Sequence, residues 1–83
     1  SPVVELNRAV AVAMADGPAD ALEIVDKIDG LDGSYLLPSV RGELLARLGR
    51  VAEAAEEFDR AVKMTDNERE REVLADKAAR MRG

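Results

Sequence analysis

An all-α fold, an array of five helices paired into antiparallel hairpins, is predicted by three observations. Apolar residues recur at helical rather than alternating spacing, Gly and Pro fall between those runs, and the chain matches itself after a shift of 33 positions. Phe58 and Tyr35 are the only aromatic residues, and the apolar content is mainly Ala, Val and Leu, which suits closely packed helices better than a sheet. The 83 residues make one small domain over 1–83. A chain of that size buries only about 60–65% of its unfolded surface. Because Ser1 is not an initiator methionine, the expectation is a fragment of a longer protein.

The first helix opens at Ser1, whose hydroxyl can cap free N–H groups, with Pro2 in the first helical position, and runs to about Ala15. Glu5, Asn7 and Arg8 are its only polar residues. A helix so apolar on every side is expected to be a central core helix, a position compatible with one face docking on a neighbouring domain or partner. Asp16-Gly17-Pro18 breaks the pattern, since Gly can close one helix and Pro can open the next. The second helix then spans about Pro18 to Asp29, with Ala21, Leu22, Ile24, Val25 and Ile28 as its stripe and Glu23 paired with Lys27. Leu31, in the turn that follows, is expected to tuck inward.

The third helix starts between Ser34 and Pro38 and continues to Leu48. Ser34 as cap gives the longer helix, the favoured reading, and Pro38 as first helical residue gives the shorter. Leu44, Leu45 and Leu48 share one side, and Glu43 pairs with Arg47. After Gly49 the fourth helix, about Val51 to Met64, carries an apolar stripe of Val51, Ala54, Ala55, Phe58, Ala61 and Val62 beneath Glu56–Arg60 and Asp59–Lys63 pairs. Asn67 followed by Glu70 is a capping box that opens a fifth helix to about Met81. Its narrow stripe of Val73, Leu74, Ala78 and Met81 suits the solvated end of a stack.

At the shift of 33 positions Arg8 meets Arg41, Ala9 meets Gly42, Val12 meets Leu45, Ala21 meets Ala54, Val25 meets Phe58 and Asp26 meets Asp59. A period of about 34 residues with two helices per period is the signature of tetratricopeptide-type repeats. The chain therefore reads as about two repeats plus a C-terminal capping helix. In the second unit Gly42 is the small residue where helices approach, Gly49 closes the first helix, Ala54 faces Gly42, Phe58 fills the space between units, and Ala61 permits the next close contact. Arg41 and Pro38 stand where large apolar residues are usual. Two units fall short of the roughly three that stand alone, so something is expected to cover the exposed side of the first helix. In such arrays the first helix of each unit lines the concave face. That rule nominates Leu6, Val10, Ala13, Met14, Ser39, Glu43 and Arg47 as the interaction surface, filled either by preceding parts of the native chain or by a separate partner.

The formal charge of -5 argues against direct nucleic-acid binding, which needs clustered Lys and Arg. With no Cys and no His, disulfides, thiol nucleophiles, imidazole bases and zinc sites are excluded. The absence of Cys fits a reducing cytoplasm, and no run is long and apolar enough for a membrane span. Carboxylates are plentiful, but nearly all sit on helix faces beside Lys or Arg, with no positioned nucleophile or oxyanion donor. Lys27 and Tyr35 read as a solvated lysine and a partly buried loop tyrosine. The expectation is a protein without catalytic activity and without a cofactor.

Three strings, SPVVELNRAVAVAMADGPADAL, LDGSYLLPSVRGELLARLGR and EAAEEFDRAVKMTDNEREREVL, together resemble the C-terminal tetratricopeptide-like extension of bacterial extracytoplasmic-function RNA polymerase sigma factors. The most specific parts are Asn7 to Ala13 followed by Asp16-Gly17-Pro18, and Leu31-Asp32-Gly33 leading to Tyr35-Leu36-Leu37. The resemblance implies a regulatory or assembly domain that contacts the sigma regions of its own chain, RNA polymerase or a separate regulator. Promoter DNA would be touched only through sigma regions absent here. Weak self-association of the fragment through the apolar first helix is also compatible. The alternative is a generic tetratricopeptide scaffold that binds a peptide or partner protein in its concave groove.

Overall fold

The computed structural model describes residues 1–83 and contains five α-helices and no strand: α1 (Pro2–Asp16), α2 (Pro18–Asp26), α3 (Leu36–Arg47), α4 (Val51–Met64) and α5 (Glu68–Arg82). Consecutive helices pack on one another, giving the expected array of hairpins.

Local chemistry fixes each boundary. The Val4 N–H donates to the Ser1 hydroxyl at 3.3 Å, and Pro2 follows as the first helical residue. Gly17, at φ 100 and ψ 170, ends α1 and caps α2 in a conformation open only to glycine. No linker separates the two helices. At the far end of the second hairpin's first helix, Gly49 (φ 78) donates to the Ala46 carbonyl at 3.0 Å while the Arg50 N–H reaches the Leu45 carbonyl at 2.9 Å. This paired closure is the Schellman motif, and it turns the chain directly into α4.

Two boundaries differ from expectation. α2 stops at Asp26 rather than near Asp29, because Lys27 donates to Ile24 and Ile28 to Val25, both at 3.1 Å. Those tighter three-residue bonds end the α-helical ladder. Ile28 and Leu31 lie beyond the helix, packed against the core. α3 adopts neither proposed register: Tyr35 is its N-cap, Ser34 accepts instead from the Leu36 N–H at 3.2 Å, and the first helical bond runs from Ser39 to Tyr35 at 3.1 Å. Pro38 is thus the third helical residue, where a missing N–H removes no helical bond. The Asn67 cap forms, with Glu70 N–H donating to its Oδ1 at 2.9 Å. The reciprocal half of the capping box does not, because the Asn67 N–H donates to the buried Thr65 hydroxyl at 3.2 Å.

Each helix contributes two or three residues to one core, of which Phe58, Leu45 and Leu74 are the largest fully buried. Gly42 is needed there for space, most of all against Phe58. A Cβ at Gly42 would lie 2.7, 2.9 and 3.0 Å from three atoms of the Phe58 ring, so the tightest contact is with Phe58. Leu48, Val51 and Val73, assigned to apolar stripes, are exposed. None of the four ion pairs expected within single helices forms. Glu43 bonds Lys77 of α5 instead of Arg47, Asp59 bonds Arg82 instead of Lys63, Arg60 bonds Glu57 at 2.8 Å instead of Glu56, and Glu23 and Lys27 stay apart. Charges one turn apart gain little on a solvated helix, so Glu43 and Asp59 are drawn to partners on α5 and Arg60 to a different carboxylate of its own helix.

A candidate docking groove between the first and third helices

α1 sits at the edge of the array, not at its centre. It packs chiefly on α2, touches α3 lightly, and buries only Leu6, Ala9 and Ala13. The rest of its apolar surface is open, with Val3 57%, Val4 60%, Val10 43% and Met14 82% exposed. Successive helical steps of about 100° place Val10, Val3, Met14, Ala11 and Val4 in one continuous arc, with Asn7 its only polar member. The expectation of a core helix fails because apolar content says that a surface wants cover and not whether this chain supplies it.

Beside that arc, between α1 and α3, runs a shallow groove of about 190 Å³ lined by Val10, Ala13, Met14, Val40, Glu43, Leu44 and Arg47. Of the seven residues nominated for the interaction surface, five come together here. Ala13, though only 4% exposed, forms part of the floor, while Leu6 is buried elsewhere in the core and Ser39 is half-buried away from the groove. Val40 and Leu44 complete the lining and were missed. A signal for them existed: Val40 and Leu44 are one turn apart on the helix that carries Glu43 and Arg47.

The charges at the rim are unequal. The Glu43 carboxylate is bonded to Lys77, whereas Arg47 makes neither an ion pair nor a side-chain hydrogen bond. The remaining repeat residues, Gly42, Gly49, Ala54, Phe58 and Ala61, lie in the supporting frame behind the groove or at the helix turn. Lys77 reaches over the Phe58 ring at 5.9 Å, which ties the Glu43 side of the rim to α5 and to the core.

A second, polar cluster joins the two repeat units. Arg41 Nε donates to Asp26 of α2 at 2.8 Å, and its Nη1 lies 3.4 Å from the Glu57 Oε1 of α4, which also takes Arg60 at 2.8 Å. The hydrogen bond to Asp26 holds the Arg41 guanidinium above its ordinary pKa. This explains why Arg41 replaces an apolar residue in the repeat pattern: it bridges helices by charge. No group of three or more His, Cys, Asp or Glu residues is placed to hold a metal ion, and no helix is long and apolar enough to cross a membrane.

No protein-family model matches the chain, and no solved structure matches it significantly. A protein of Rhizobium meliloti (strain 1021), itself described as uncharacterized, is 47% identical over 68 residues. That match covers 81% of this chain and 16% of the relative, so the chain spans about one-sixth of that protein's length.

Proposed function

We propose that this chain is a non-enzymatic regulatory domain of an extracytoplasmic-function sigma factor, acting in the cytoplasm by docking through α1 and the adjoining groove. The observation that carries the docking role is the uncovered apolar arc of α1, continuous with an apolar groove. Surfaces of that kind mark interaction sites. The transcriptional assignment rests on the resemblance of the Asn7–Ala13, Asp16–Pro18 and Leu31–Leu37 strings to the sigma-factor extension. A 16% share of a much longer relative is compatible with one module among several. The docked element is a sigma region of the same chain, RNA polymerase or a regulator, and promoter contact belongs to the sigma regions.

The test is transcription by the full-length protein. Deleting this domain, or replacing Val10 and Met14 together by Asp, is expected to change output from the cognate promoter while the sigma regions stay folded. Unchanged transcription with unchanged interdomain contacts contradicts the proposal. The alternative, a free-standing peptide-binding scaffold, draws support from the same groove. It predicts that the Val10 and Met14 substitutions abolish binding of a separate protein and leave transcription untouched.

A further inference from the structure

We infer that the groove between α1 and α3 receives an amphipathic helix bearing one or two apolar anchors and, a turn away from them, an acidic residue that pairs with Arg47. This names the occupant of the surface just proposed and rests on reading that surface as a docking site.

Size narrows the choice first. At about 190 Å³ the groove is smaller than the ~300–1,000 Å³ typical of small-molecule sites, and it suits one or two side chains inserted from a larger body. Its floor of Val10, Ala13, Val40 and Leu44 offers no polar group to orient a cofactor. Backbone geometry narrows it further. The chain has no strand and hence no sheet edge to extend, which closes recognition by strand addition, and no aromatic residue lines the groove to hold a polyproline segment; an amphipathic helix laid in the groove is the mode that its apolar floor favours.

Charge then specifies the helix. Glu43 is neutralised by Lys77, leaving Arg47 as the one unpaired charge on the rim. A carboxylate on the occupant satisfies it, and a basic residue there would be repelled. A second copy docked through its own α1 does not meet the requirement. The exposed arc of α1 carries Asn7 in its middle and Arg8 at its flank, and Glu5, the acid beside it, already lies 3.9 Å from Arg8. Two α1 helices packed face to face would leave Arg47 without a carboxylate.

The experiment is photo-crosslinking in the full-length protein from a benzoylphenylalanine placed at Met14, which is 82% exposed, so the probe itself leaves the core intact. The expected product joins Met14 to a helical segment with Asp or Glu within one turn of an apolar residue. Arg47→Glu should then lower the crosslink yield about fivefold, and reversing the partner's acid to Arg should restore it. Helical circular dichroism of Arg47→Glu should be unchanged, because the residue is exposed and unbonded. Crosslinks between two copies of this chain, crosslinks to a basic or non-helical segment, no crosslink, or indifference to Arg47→Glu would each overturn the inference. A crosslink of the expected kind to a protein unrelated to transcription would uphold the occupant and discard the sigma-factor assignment.

Discussion

Between α2 and α3 the chain takes the nine residues Lys27–Tyr35 to turn, and Arg41 spans the junction by bonding Asp26 and approaching Glu57. Between α4 and α5 the three residues Thr65–Asn67 suffice, and Leu74 and Ala78 bury themselves in the core shared with Phe58 and Ala61. The first junction is flanked by a cleft of about 160 Å³ and leaves the buried Glu57 Oε2 without a partner. An unsatisfied buried oxygen typically costs about 1–3 kcal/mol. Apolar burial at the second junction carries no such penalty. The repeat therefore uses one helical plan with two kinds of joint, and the weaker joint holds the hairpin whose α1 is uncovered.

Substitutions can break or sharpen that contrast. The largest loss is expected from Phe58→Ala, about 3–5 kcal/mol, with Leu74→Ala close behind at about 2–5 kcal/mol, both read by chemical denaturation. Gly42→Leu drives a side chain into the Phe58 ring and should cost about 1–3 kcal/mol. A variant melting at the parental temperature would refute the Gly42–Phe58 contact. Asp26→Asn removes half of a solvent-accessible ion pair at the first junction and should cost only about 0.2–1 kcal/mol. If it matched Leu74→Ala, the two joints would not differ as described.

The smallest effect concerns acid. Glu53 is held below the ordinary carboxylate range by its hydrogen bonds from Arg50. Its folded pKa lies below its unfolded one, so its contribution is complete above the unfolded value and vanishes as pH falls through the folded value. Glu53→Gln should remove a slight part of the stability lost on acidification through that window, measured by denaturation at a series of pH values. An unchanged acid profile would mean that the Arg50–Glu53 pair is not formed in solution.

Much of this architecture was legible in the residues. Ser1-Pro2, Gly17-Pro18, Gly49 and Asn67 carry their boundary information locally, through caps and permitted dihedrals, and all four mark real helix ends. The start of α3 was harder, because Ser34, Tyr35 and Pro38 each satisfy a helix-start rule and the competition is settled by which carbonyl Ser39 reaches. Surface ion pairs were illegible for a different reason: Glu43 and Asp59 choose partners on α5, information that exists only after the helices meet. The groove was half visible. The repeat register supplied Val10, Ala13, Met14, Glu43 and Arg47, while the burial of Leu6 and the placing of Val40 and Leu44 along the groove depend on how α1 and α3 pack.

The central claim is that the apolar arc of α1 is covered in the protein that carries this domain. Methionine oxidation tests it directly, because Met14 is 82% exposed here whereas Met64 and Met81 are half-buried. Thioether oxidation follows exposure. In the 83-residue chain Met14 is expected to oxidise first, and in the full-length protein it is expected to fall to the rate of Met64 and Met81 or below. Met14 oxidising equally fast in both would contradict the account.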